Sequence, residues 1–368
     1  MGRGVTLFLC GDVMTGRGVD QILPRPSRPR LHEPYVTSAL DYVALAERAN
    51  GAISRPAAHG YVWGAALDVL ARERPDARIV NLETSVTTSD DAVPKEIHYR
   101  MHPENVAVLA AADIDCCVLA NNHVLDWGRA GLIETVETLA RAGIPVAGAG
   151  RDLAAARAPA ALDLGGGSRA LVFAFGATDA GVPRDWAAGA ATPGVHLLPD
   201  FSDETVECVA GLVERARRPG DVVVASVHWG PNWGYDVPAT HRRFAHALVE
   251  RAPVDVVHGH SAHHPMAIEV HRGRPILYGC GDFLNDYEGI GGHERFRSDL
   301  ALMYFVTLDA GTGELRRLAM TPLQIRNFRL NHAPPAERAW LRDTMDRECR
   351  QFGHRVALEG ETLTLDWQ

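Results

Sequence analysis

Val5-Thr6-Leu7-Phe8-Leu9-Cys10-Gly11-Asp12 is an apolar, strand-like run that ends on a glycine and a carboxylate. The same arrangement recurs along the chain. Asn81-Leu82-Glu83 follows Arg78-Ile79-Val80, and Asn121-Asn122-His123 follows Cys117-Val118-Leu119. His228-Trp229-Gly230 follows Val222-Val223-Val224, and Gly259-His260-Ser261-Ala262-His263 follows Val254-Asp255-Val256-Val257. A sheet gathers such strand ends in space, so scattered fragments can form one pocket. An Asp, a Glu, an Asn and several His converging there describe a transition-metal hydrolase site, with N and O donors and no thiolate.

The spacing between these runs sets the fold class. Strand-like runs alternate with helix-like stretches, which predicts an α/β core. Residues 129–142 form an amphipathic pattern closed by Gly143 at a C-cap position, and 239–252 form another, followed by a strand at 254–257. Hairpins are predicted for 160–164 with 170–175, for 266–271 with 275–278, and for 302–308 with 314–320. Together these predict a two-sheet sandwich covered by helices. Residues 1–330 would form the main domain, with 17–76 as a lid or insertion, and 331–368 a C-terminal helix and hairpin.

Bulk properties narrow the function. A 368-residue chain with 46% hydrophobic residues can bury a large core. The formal net charge of -9 argues against general nucleic-acid binding, which relies on clustered Lys and Arg. A small or polymeric anionic substrate remains compatible if a metal and local arginines hold it. The six cysteines form no C-x-x-C pair and suit buried, reduced thiols. No signal-type segment precedes the first run, and no apolar stretch approaches the roughly 20 residues that span a bilayer, so a cytoplasmic location is expected.

Candidate residues differ in how much each carries. Asp12 and Glu83 are placed as metal carboxylates, although a turn or capping role suits either alone. Asn122 offers a ligand oxygen, and His123 beside it can give or take a proton. Asp126 lies three residues on, close enough on one helical turn to fix the imidazole. His228 ends a very apolar strand, where a ligand and a satisfied core imidazole are both possible; Trp229 and Trp233 could wall the pocket or cover the core. In His258-Gly259-His260-Ser261-Ala262-His263-His264, Gly259 is expected to turn the backbone so that His260 and His263 face one centre. His258 and His264 read as expendable, the pleat being expected to turn His258 away from His260. Lys95, His98, Tyr99, Arg100 and His102 form a basic segment that either grips substrate, chiefly through His98 and Arg100, or is solvated. Asp282, in a polar strand exit, is expected to line the pocket floor as a substrate-binding residue or else to serve a turn.

In this order and spacing, Gly11-Asp12-Val13-Met14, Asn81-Leu82-Glu83, Ala120-Asn121-Asn122-His123, His228-Trp229-Gly230 and Gly259-His260-x-x-His263 resemble the CapA family. That family is named for a poly-γ-glutamate capsule biosynthesis protein and sits in the calcineurin-like metallophosphoesterase superfamily. The resemblance covers residues 5–308 and implies a four-layer α/β/β/α sandwich with metals at the strand ends. It implies Asn122, His228 and His260 on one metal, Asp12 and His263 on the other, and Glu83 between them. His123 would be the general acid or a clamp on the scissile group. The superfamily begins with Asp-x-His, whereas Met14 stands at that His here, so one metal position is expected to lack a ligand. The resemblance implies one or two divalent transition metals (Mn, Zn or Fe). It also implies a metal-dependent hydrolase or acyl-transfer enzyme of poly-γ-glutamate biosynthesis. The alternatives are a phosphoesterase on a small phosphate ester and a non-catalytic metal-binding assembly protein.

Overall fold

The computed structural model describes residues 3–367; Met1, Gly2 and Gln368, which the expected domain limits include, lie outside the described residues. Two large mixed sheets carry the chain. The main path of the ten-stranded sheet runs Arg355–Glu359, Thr362–Asp366, Leu315–Ile325, Leu300–Asp309, Gly4–Val13, Ala77–Leu82, Cys116–Val118 and Val146–Ala147. The six-stranded sheet runs Ile268–His271, Arg274–Leu277, Val256–His260, Val222–His228, Arg169–Gly176 and Ala160–Asp163.

Both sheets have a parallel centre. Gly4–Val13, Ala77–Leu82, Cys116–Val118 and Val146–Ala147 pair in parallel, as do Arg169–Gly176, Val222–His228, Val256–His260 and Arg274–Leu277. Parallel neighbours need crossover connections. Helices Ala65–Glu73, Gly128–Arg141, Asp203–Ala216 and Ala239–Arg251 supply four of them. The consequence for function is directional: the carboxyl ends of these strands emerge together, and the polar residues follow them.

The period of two in the strands builds the layers. Along Arg169–Gly176, Ala170, Val172 and Ala174 join the core shared with the larger sheet. Leu171, Phe173 and Phe175 instead pack with Val206, Val209, Phe244 and Leu248 of the two outer helices. Val222 and Val224 face inward while Val223, Ala225 and Val227 face the helices. Helix, sheet, sheet and helix therefore stack as the four-layer sandwich the resemblance implied. All three predicted hairpins pair antiparallel.

Residues 17–76 divide into two parts. Ala65–Glu73 is a crossover helix whose Ala66, Val69 and Leu70 are in the core rather than in a lid. Arg17–Ile22 and Ala39–Asn50 contribute Arg17, Tyr42 and Asn50 to the wall of a surface cleft. At the other end, Pro335–Cys349 is helical, and Thr362–Asp366 pairs with Leu315–Ile325 through Ala319↔Thr364 and Met320↔Leu363. The C-terminal hairpin thus extends the larger sheet.

Asp346 holds this unit together. It accepts hydrogen bonds from Arg355 Nε (2.8 Å), Arg350 Nη2 (2.5 Å) and the Val356 N–H (3.0 Å). Burial raises its proton affinity, but those donors outweigh burial and hold the carboxyl down at about 2. A carboxylate whose folded value is depressed stabilises above its unfolded value, near 3.9, and loses that contribution as pH falls through the folded value. Asp346→Asn should therefore cost about 1.5–3 kcal/mol near neutral pH. The gap in unfolding midpoint between the two proteins should close as pH drops from about 4 to about 2. A gap that stays constant over that range would show that the charge of Asp346 is not what matters.

Candidate metal centre

Asp12 sits where both sheets meet. It ends the central strand of the larger sheet in register with Asn81 on one side and with Asp282 on the other. Gly11 must be glycine for this: a Cβ there would lie 1.6 Å from the Gly281 carbonyl oxygen. Asn81 Nδ2 donates to Asp12 Oδ1 at 2.7 Å, and Asn121 Nδ2 donates to Asn81 Oδ1 at 3.0 Å. Asn121 Oδ1 in turn accepts from the His123 N–H at 3.1 Å. Asn81 and Asn121, quoted in the sequence motifs but given no role there, form the rail that fixes Asp12 and the His123 loop relative to each other.

The smaller sheet brings the imidazoles. His228 and His260 are register partners on parallel strands, with their Nδ1 atoms 2.8 Å apart. Asn122 Oδ1 lies 3.1 Å from His228 Nε2. His258 is not turned away from His260. Positions two apart share a face of a strand, and Ser226 Oγ contacts both His258 Nδ1 (3.1 Å) and His260 Nε2 (2.8 Å). His258 Nε2 reaches across to the Cys10 carbonyl oxygen at 2.8 Å, tying one sheet to the other. Gly259 also has a different role from the expected turn. It lies within the strand, and a Cβ there would meet the Tyr278 and Leu277 carbonyl oxygens at 2.5 and 2.6 Å.

Asp282 lies beside Asp12 and His263. The strand Asp282–Leu284 runs parallel beside Gly4–Val13, and Asp282 Oδ1 contacts His263 Nδ1 at 2.8 Å while Asn285 Nδ2 donates to Oδ2 at 2.9 Å. Asp12, His228 and His260 offer ligand atoms within 4.8 Å of one another, and so do Asp12, His263 and Asp282. Asp12, rather than Glu83, is common to both groups. Glu83 neighbours Asp12 as well, and its Oε1 stands 3.7 Å from His123 Nε2 and 3.9 Å from His228 Nε2. Met14 is buried, with its sulfur 3.6 Å from the Tyr287 hydroxyl.

His123 borders this cluster as a held imidazole. Its Nδ1 is 2.7 Å from Asp126 Oδ2, whose other oxygen accepts from Lys95 Nζ at 2.8 Å. The Tyr99 N–H also donates to Asp126 at 2.7 Å, and the Tyr99 ring packs against His123 with centroids 4.5 Å apart. Of the basic segment, Lys95 and Tyr99 reach the site. Arg100 and His98, the expected substrate grips, do not. Arg100 bonds Asp90 and the Ser89 carbonyl and lies over the Trp127 ring, and His98 Nε2 contacts the Val93 carbonyl oxygen. They flank Tyr99 in an extended segment, which turns them to its opposite face. His102 caps a short helical turn. His264 stacks on Phe296, and Trp229 packs on His241, outside the cluster. Trp233 and His263 line a cleft of about 660 Å³ together with Arg17, Asn285 and Tyr287.

The electrostatics fit a cation. Burial, then the neighbouring Asp282 charge, lifts Asp12 to about 7, and burial with the Asp12 charge lifts Glu83 well above its ordinary range. Burial pushes His123 down to about 4 and drives His228 and His260 well below 6.5. On His263 burial opposes charge, but Asp282 overrides it and raises the imidazole. Glu83 Oε2 is buried with no hydrogen-bond partner among the described residues. The nearby cations are engaged elsewhere: Arg17 with Asp286 and Glu33, Lys95 with Asp126. Clustered buried carboxylates facing His228 and His260, both pushed toward the neutral form, with one oxygen unpaired, are a donor set that suits a divalent transition metal.

Residues 6–287 match the family described as "Bacterial capsule synthesis protein PGA_cap". The chain is 48% identical over 361 residues to a probable polyglutamine synthesis accessory protein of Mycobacterium tuberculosis, covering 98% of this chain and 95% of that one. It is 30% identical over 291 residues to the PGA biosynthesis protein CapA of Bacillus subtilis, covering 78% and 71%. With the capsule biosynthesis protein CapA of Bacillus anthracis it shares 25% identity over 325 residues, covering 88% and 68%. Because the matched span runs from the first strand past Asp282, it takes in every residue of the cluster, and this chain belongs to the bacterial capsule synthesis protein family, within the metallophosphoesterase-like superfamily.

Proposed function

We propose that this chain is a metal-dependent hydrolase or acyl-transfer enzyme acting in poly-glutamate capsule synthesis. One observation carries the reading: Asp12 is common to two groups of N and O donors, and a held imidazole, His123, faces Glu83 at the border of those groups. Asp12, His228 and His260, with Asn122 beside them, would hold one divalent metal, and Asp12, His263 and Asp282 a second. Such ions supply Lewis acidity toward a carbonyl or phosphoryl oxygen and acidify water.

The chain's own groups do the remaining work. Asp126 accepts the Nδ1 proton of His123 and so presents Nε2 to the reacting centre. In that orientation Nε2 can deliver a proton to a leaving group or take one from a nucleophile. Lys95, bonded to Asp126 and to the Asn122 carbonyl oxygen, keeps the loop 121–126 in one shape. Ser226, between His258 and His260, orients the His260 ring. The cleft beside His263, with Arg17 and Trp233 in its wall, gives a substrate a route to the cluster.

A second reading, a non-catalytic accessory component, draws on the name of the Mycobacterium tuberculosis relative. A proton carrier held by Asp126 and Lys95 at the edge of the cluster favours the enzyme, since a purely structural metal has no use for it.

Two measurements test the proposal. Protein purified without chelators should contain transition metal. Asp12→Asn should remove metal from both positions, and His263→Ala from one, by elemental analysis of folded protein. Equal metal content in all three would refute the shared-ligand arrangement. Separately, His123→Ala should keep its metal and lose about 10²–10⁴-fold in turnover on whichever of a γ-glutamyl or a phosphoester substrate the parent protein processes. No turnover of either class by metal-loaded parent protein would favour the accessory reading.

A further inference from the structure

Outside the buried centre, a second group of metal-type side chains joins helix Ala239–Arg251 to the edge strand Ile268–His271. His246 and Glu250 stand four apart on the helix, and Glu269 and His271 stand two apart on the strand, so each pair shares a face. His246, Glu269 and His271 offer ligand atoms within 4.8 Å of one another. The two imidazoles stack with centroids 3.7 Å apart and planes 4° from parallel. His271 Nε2 contacts Glu250 Oε1 at 2.8 Å. His246 Nε2 lies 2.9 Å from Glu269 Oε1, yet it is buried and makes no well-formed hydrogen bond.

We propose that these residues form a second, structural zinc site: His246, Glu269 and His271 as ligands, with Glu250, which already contacts His271, turning in as the fourth when the ion binds. Two imidazoles with carboxylate oxygens are a zinc-type donor set, and four protein ligands close the coordination sphere as structural sites do. Glu269 is held for this role. Its second oxygen accepts from the Tyr278 hydroxyl at 2.7 Å, a contact that orients a ligating carboxylate. Arg242 and Arg272 pair with Glu269 and Glu250 at 3.1 Å each; Arg272 is largely exposed and Arg242 about half exposed, so both can yield to a divalent ion. The ion would tie the helix to the edge of the six-stranded sheet. That edge strand follows the His263 loop, and the Arg274–Leu277 strand beside it leads to Asp282. No residue of this site belongs to the buried centre, so the inference stands or falls independently of the proposed enzyme.

The test is zinc titration by calorimetry into metal-stripped full-length protein, with cobalt(II) absorption as a second probe. In folded Asp12→Asn protein, about one equivalent should still bind, with tetrahedral cobalt bands, and should raise the unfolding midpoint. Adding His246→Ala and His271→Ala should abolish that equivalent. In the otherwise unaltered chain, the same two substitutions, both at partly exposed positions, should lower the zinc count by about one. That second comparison decides the matter if Asp12→Asn fails to fold. A zinc count that His246→Ala with His271→Ala leaves unchanged would overturn the proposal and leave the group as a hydrogen-bonded histidine–carboxylate network.

Discussion

The architecture turns on a buried carboxylate that two sheets must satisfy at once. Asp12 is fully buried, and an ionised group removed from water is tolerated only where donors or cations surround it. The larger sheet supplies Asn81 Nδ2, and the smaller supplies the Ser261 N–H at 3.3 Å. The neighbouring bridge from His258 to the Cys10 carbonyl oxygen fixes the distance between the sheets at the same level. Because these contacts cross the sandwich, the position of every later site residue depends on how the sheets face each other.

Parallel strands explain why chemistry collects here. Their carboxyl ends emerge on one side, and each loop that follows carries an Asn, His or carboxylate into a common space. The period of two then sorts the strand residues. Val222, Val224, Ser226 and His228 lie on the inner face, so an apolar core passes without interruption into a polar cluster at the strand end. Crowding Asp12, Glu83 and Asp282 together is costly while all three are ionised, and burial with that mutual repulsion is what raises Asp12 and Glu83.

The relation to capsule synthesis proteins fits this picture at the level of fold and residues. The family match runs through the strands of both sheets that carry the cluster, and the similarity to the Mycobacterium tuberculosis relative extends over 98% of this chain. It therefore takes in the C-terminal hairpin that lengthens the larger sheet, where Asp346 is bonded by two arginines and a backbone N–H.

The sequence by itself determined the α/β alternation, the three hairpins, the helices near 129–142 and 239–252, and the motifs carrying Asp12, Asn122, His123, His228, His260 and His263. These depend on local periodicity and on side-chain chemistry, which a linear chain displays. The His123–Asp126 contact was legible for the same reason, since three residues of a tight turn fix their own distance. Tertiary structure alone decided which groups share a centre. Asp282 lies 270 positions from Asp12, and only strand pairing in register sets the two side by side. The same holds for Asp12 rather than Glu83 as the common residue, for His258 bridging the sheets, and for Arg100 turning to Asp90. Strand alternation sets which face each of these side chains takes, but which partner it meets there follows from which strand lies next to which, and that depends on packing the whole sandwich.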